Sequence, residues 1–163
     1  MPAAVTITTF ASAMNMTPTE AQNQLMELGF YPHELELAEL VLVAEMAWAD
    51  GEVQPIERYL LERYCDELVE LANLRRPDAP LTRQRARRQL NRLLRRPLSA
   101  AQRRRALDAL RVLWSSAPHG SAARYRALEQ ATQVADAAGE PRWHRAEERW
   151  QARLLMALNE GER

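Results

Sequence analysis

Three carboxylates, Asp50, Glu52 and Glu57, crowd into one short stretch, with Glu45 a little over one helical turn upstream. Hard divalent cations take several oxygen ligands at about 2.0–2.6 Å, and short acidic loops between helices supply them. The spacing matches the second half of an EF-hand loop: Asp50-Gly51, an aliphatic Val53, then Glu57 six residues after the glycine. The first half is missing, because Met46 and Trp48 occupy the positions four and two residues before Asp50. A calcium, manganese or magnesium ion here would draw ligands from elsewhere or bind weakly. The same residues also read structurally: Asp50-Gly51 as a helix stop, Pro55 as a helix start, and Glu57 as a first-turn carboxylate worth about 0.3–1 kcal/mol against the helix dipole. The spacing leaves both readings open.

Other residues capable of chemistry point to less. The single cysteine, Cys65, excludes an internal disulfide framework and a thiolate-rich zinc cluster. It lies inside a helical pattern with no histidine close in sequence, which reads as a small buried hydrophobe. His33, His119 and His144 show no metal-ligand spacing, and His144-x-x-Glu147 reads as a surface pair. There is no Gly-rich phosphate loop, Ser-centred elbow or His-Glu-x-x-His. The expectation is a non-catalytic protein.

The elements that position these residues are helices. Ala, Leu, Arg and Glu dominate, and the five glycines are too few for a turn-rich β fold. Residues 1–16 read as a flexible tail, and 17–163 as one domain. Thr17-Pro18-Thr19-Glu20 is a capping box opening a helix that stops at Gly29. A second helix is predicted over 32–49, apolar around so much of its circumference that it must be central. A third runs over 55–74 and a fourth over 82–95, separated by the loop RRPDAP at 75–80. A fifth opens at the Ser99-x-x-Gln102 box. A sixth is capped by Ser121 and runs to Gly139. A seventh carries Trp143, Ala146, Trp150, Leu154 and Leu158 on one stripe. The prediction is an all-α single-domain bundle of about seven helices.

Charge is balanced overall but not along the chain. Residues 1–74 hold 13 acids against two arginines, and residues 75–111 hold 13 arginines against two aspartates. Lysine is absent. Arg85, Arg88, Arg92 and Arg95 form one stripe opposite Ala86, Leu90, Leu93 and Leu94. Such a stripe could track phosphates, but no aromatic residue interleaves for stacking, so a solvated face or one balancing the acidic half is favoured over nucleic acid. The N-terminal run contains no basic residue and fails as a secretory signal, and no apolar run reaches bilayer-spanning length. The expected location is the cytoplasm.

The run VAEMAWADGEVQPIE at 43–57, with the Arg/Leu-rich helix after it, resembles the tellurite-resistance TerB-like family over about 26 residues. The resemblance implies an all-α domain whose acidic junction is associated with metal-ion binding, with Asp50, Glu52 and Glu57 as the candidate ligands. It implies a stress-response or adaptor role exercised through protein partners. A cation-free interaction scaffold is the alternative. Such domains carry a second, weaker copy of the junction. Here that pseudo-repeat is degenerate: one candidate is VADAAGE at 134–140 with Glu147 beyond it, the other His119-Gly120.

Overall fold

The computed structural model describes residues 15–49 and 51–137, which form six α-helices and, among the described residues, no strand. They are α1 (Pro18–Glu27), α2 (Glu39–Ala47), α3 (Pro55–Arg75), α4 (Arg83–Arg95), α5 (Ala100–Ser116) and α6 (Gly120–Ala137), with a 3-10 segment, Pro32–Ala38, ahead of α2. The expected seventh helix, most of the N-terminal tail and Asp50 lie outside the described residues. No described helix is long and apolar enough to cross a membrane.

Local chemistry sets most boundaries. The Thr17 hydroxyl accepts the Glu20 N–H at 3.2 Å while the Glu20 carboxylate accepts the Thr17 N–H at 2.7 Å. Ser99 and Gln102 repeat this reciprocal pair at the start of α5. The Thr82 hydroxyl caps α4 through the Arg85 N–H. Gly29 (φ +97°) and Gly51 (φ +92°) take the left-handed backbone that ends α1 and turns the chain after α2.

Two boundaries depart from the sequence expectation. The predicted helix over 32–49 is 3-10 in its first part, where three residues per turn put Glu34 and Leu37 on one buried face. Helix α6 starts at Gly120, so Ser121 lies inside the helix and is not its cap. The His119 carbonyl accepts the Ala123 N–H at 3.0 Å, which starts the helix ahead of Ser121, and a Cβ on residue 120 would lie 1.6 Å from the Trp114 carbonyl oxygen. Only glycine permits so close a reversal between α5 and α6.

Helix α2 is the axis of the molecule, and every one of its nine residues is buried. Helix α3 returns antiparallel to it, and α4 runs antiparallel to α3. The Trp48 indole donates to the Leu93 carbonyl at 3.0 Å, fixing the end of α4 beside the end of α2. Glu45 of α2 reaches Leu98 and Arg103, which brings the start of α5 to the same end. After the turn at Gly120, α6 passes Glu39 at Arg126. Leu25, Leu40, Met46, Leu61, Leu68, Leu90 and Leu110 fill the space between the helices.

Gly120→Ala should lower stability by about 1–3 kcal/mol, the usual cost of overpacking. Thermal melting measures it, and a melting temperature equal to wild type would refute the steric account.

Candidate functional site

The acidic junction is built by the end of α2, the Gly51 turn and the first turn of α3. Pro55 starts α3 with its φ already helical and no N–H to satisfy. Glu57, at the third helical position, is fully buried, and its Oε2 accepts the Gln54 N–H at 2.7 Å. This carboxylate therefore closes the α3 N-terminus, as the sequence reading of a first-turn acid anticipated. Glu52 is exposed. Asp50, the third predicted ligand, lies outside the described residues.

Glu45 turns away from the junction. Its Oε1 accepts the Leu98 N–H at 3.1 Å, and its Oε2 accepts the Arg103 Nε–H at 2.7 Å. Among the described residues no three His, Cys, Asp or Glu side chains group so as to hold a metal ion. Of the predicted ligands that are described, Glu52 faces solvent and Glu57 is engaged in the helix cap.

Three buried acids, Glu34, Glu39 and Glu45, organise the interior, each less than one-twentieth exposed; sequence reasoning passed over the first two and set Glu45 beside the junction. Their partners come from different later helices. Glu34 Oε2 accepts from the Gln89 side chain of α4 at 2.8 Å. Arg85 of the same helix lies 3.8 Å from Glu34 Oε1 and donates to the His33 ring nitrogen at 2.7 Å. Glu39 accepts the Tyr64 hydroxyl of α3 at 2.6 Å and the Arg126 guanidinium of α6 at 2.7 and 3.3 Å. The signal was available, since acids placed within an otherwise apolar, all-round buried helix demand internal partners.

The electrostatics follow the burial. Desolvation pushes the Glu39 carboxyl above its ordinary 4.5, against the opposing pull of the Tyr64 hydroxyl and the Arg126 guanidinium. Tyr64 is driven well above the usual phenol range by burial and by the carboxylate it faces. The Cys65 thiol, also buried, is pushed up to about 12, so little thiolate exists near neutral pH and nucleophilic use is disfavoured.

No family model, curated protein or solved structure matches the chain.

The Glu39 shift carries a pH signature. Between 4.5 and the raised value, the folded chain keeps a proton that the unfolded chain has released. Stability contributed by this group is therefore present below the ordinary carboxylate range and is lost as pH rises through the raised value. Glu39→Gln should remove that slope. Urea midpoints of wild type and variant, compared from pH 4.5 to neutrality, test it; a constant difference across the window would contradict the assignment.

Proposed function

We propose that this chain is a non-catalytic, TerB-like helical domain that acts by protein contact and carries a weak, solvent-facing divalent-cation site at its α2–α3 junction. The observation behind it is a fully buried helix that passes through a left-handed Gly51 into an acidic turn closed by Glu57. Asp50 and Glu52 flank Gly51, and they are the carboxylates we assign to the ion, with Glu57 holding the turn that presents them. The cation would cancel the charge clustered at this turn, changing the surface offered to a partner.

One of the two candidate pseudo-repeats begins at Val134, with the exposed Asp136, in the last turns of α6. The rest of that candidate, residues 138–147, is outside the described residues. On this reading the protein belongs with stress-response adaptors, tellurite among the stresses.

A cation-free scaffold is the second reading. It is favoured by the commitment of Glu57 to the Gln54 N–H and of Glu45 to Arg103, which leaves fewer carboxylates for an ion.

Melting curves titrated with calcium, manganese or magnesium separate the two. At tenfold excess over the dissociation constant, a bound ion adds about 1.4 kcal/mol, or about 3–6 °C in a chain of this size. Asp50→Ala and Glu52→Ala should each reduce that rise. Curves that ignore all three metals in wild type would leave the scaffold reading alone.

A further inference from the structure

Helix α4 carries six arginines and no acid, and the fold divides them. At 3.6 residues per turn, Arg83 and Arg87 lie on one flank and Arg85 and Arg92 on the other. Arg87 donates to Asp66 of α3 at 2.9 and 3.3 Å and lies 3.2 Å from Glu62. Arg83 lies 3.6 Å from Glu70. On the other flank Arg85 reaches His33 and Glu34, and Arg92 donates to Gln89 and to the Leu28 carbonyl while lying over the Phe30 ring. Between the flanks, Gln84, Arg88, Asn91 and Arg95 fall within about 60° of arc, and all four are exposed. Neither Arg88 nor Arg95 makes a side-chain hydrogen bond or ion pair among the described residues.

The sequence favoured a solvated face or one that balances the acidic half. The flanks do the latter, and the central stripe is left over. We propose that this stripe docks an acidic helical segment of a partner protein, with carboxylates seven residues apart on Arg88 and Arg95 and the Gln84 and Asn91 amides beside them. The match is geometric: seven residues rise about 10.5 Å on either helix, so two helices lying alongside keep both pairs in register. Guanidinium–carboxylate forks give such pairs direction as well as strength.

The width of the stripe argues against nucleic acid. It is one helix face wide, and α3 runs alongside it with Glu67 and Glu70 exposed. A single partner helix, about 10–12 Å across, can lie on α4 alone, whereas a broader polyanion would also meet these α3 carboxylates. Zero net charge and the absence of any aromatic side chain on α4 point the same way.

This assignment rests on the protein-contact reading above and names the partner's chemistry. The test uses two labelled alanine-based helical peptides, one with Glu at the first, fifth and eighth positions of one face, the other with Gln there. A DNA duplex is the third probe. Fluorescence anisotropy at low salt should show the Glu peptide binding the full chain. Arg88→Glu/Arg95→Glu should weaken that binding by about tenfold or more, as should the Gln peptide, with Arg88→Gln/Arg95→Gln between. All variants should melt with wild type, since neither arginine holds the fold. Absence of Glu-peptide binding to wild type, or equal binding by the Glu variant, overturns the assignment. A duplex bound more tightly than the peptide and lost in the same variant overturns it in favour of nucleic acid. The metal-titrated melting curves depend on Asp50 and Glu52, which these variants leave intact. Failure here with the cation response preserved therefore removes the partner and not the proposed function.

Discussion

A helix buried on all sides has no outlet for charge, yet α2 carries Glu39 and Glu45 and is preceded by the buried Glu34. Each carboxylate must meet donors inside the protein, because removing one member of a buried pair costs about 3–5 kcal/mol. The donors come from far along the chain: Gln89 and Arg85 in α4, Arg103 in α5 and Arg126 in α6. Three helices are thereby fixed in height against one axis. Apolar contacts alone would tolerate a slide or rotation of these helices, whereas a carboxylate accepts its partner at one place. We read these acids as devices of register more than of stability, since well-packed apolar residues often serve stability as well.

The uneven charge along the sequence has the same origin. Glu27, Glu36, Glu62, Asp66 and Glu70 from the acidic half pair with Arg105, Arg76, Arg87 and Arg83 from the arginine-rich stretch. Most of these pairs are partly exposed and contribute about 0–1 kcal/mol each. Their collective effect is to keep the two halves of the chain facing one another, so that zero net charge is reached by interleaving. Interleaving leaves Arg88 and Arg95, on the outward face of α4, outside these pairs among the described residues.

The sequence revealed what depends on neighbours a few residues apart. Thr17, Ser99 and Pro55 marked helix starts because their side chains or rings act on the next turn, and the all-round apolar pattern of α2 showed its central place. Pairings across the fold were out of reach: nothing local links Glu39 to Arg126 or Glu45 to Arg103. The 3-10 segment was hidden for a similar reason, since Pro32 allows either helix and the choice follows from burying Glu34 beside Leu37. At the start of α6 a sound local rule favoured Ser121. It failed because the His119 carbonyl takes the Ala123 N–H and starts the helix earlier, and the approach of Gly120 to the Trp114 carbonyl is one a sequence cannot show. Of the candidate site, Glu57 was legible as a first-turn acid, while the turning of Glu45 toward Arg103 was not.

The junction joins these two kinds of constraint. Glu57 Oε2 already satisfies the Gln54 N–H, one of the four donors an α-helix leaves unpaired at its start. An ion that drew this oxygen away would have to replace a cap worth about 0.5–2 kcal/mol, a loss of roughly two- to thirtyfold in affinity. An ion held by Asp50 and Glu52 alone would avoid that cost but gain only two carboxylates. Affinity is weak in both cases, and the two cases differ in consequence. The first would couple occupancy to the seating of α3, and through Tyr64 and Asp66 on that helix to Glu39 and to the inner flank of α4. The second would leave the interior untouched and alter only surface charge. A junction that signals must therefore sacrifice affinity to reach Glu57, and weakness at this site is compatible with a regulatory use.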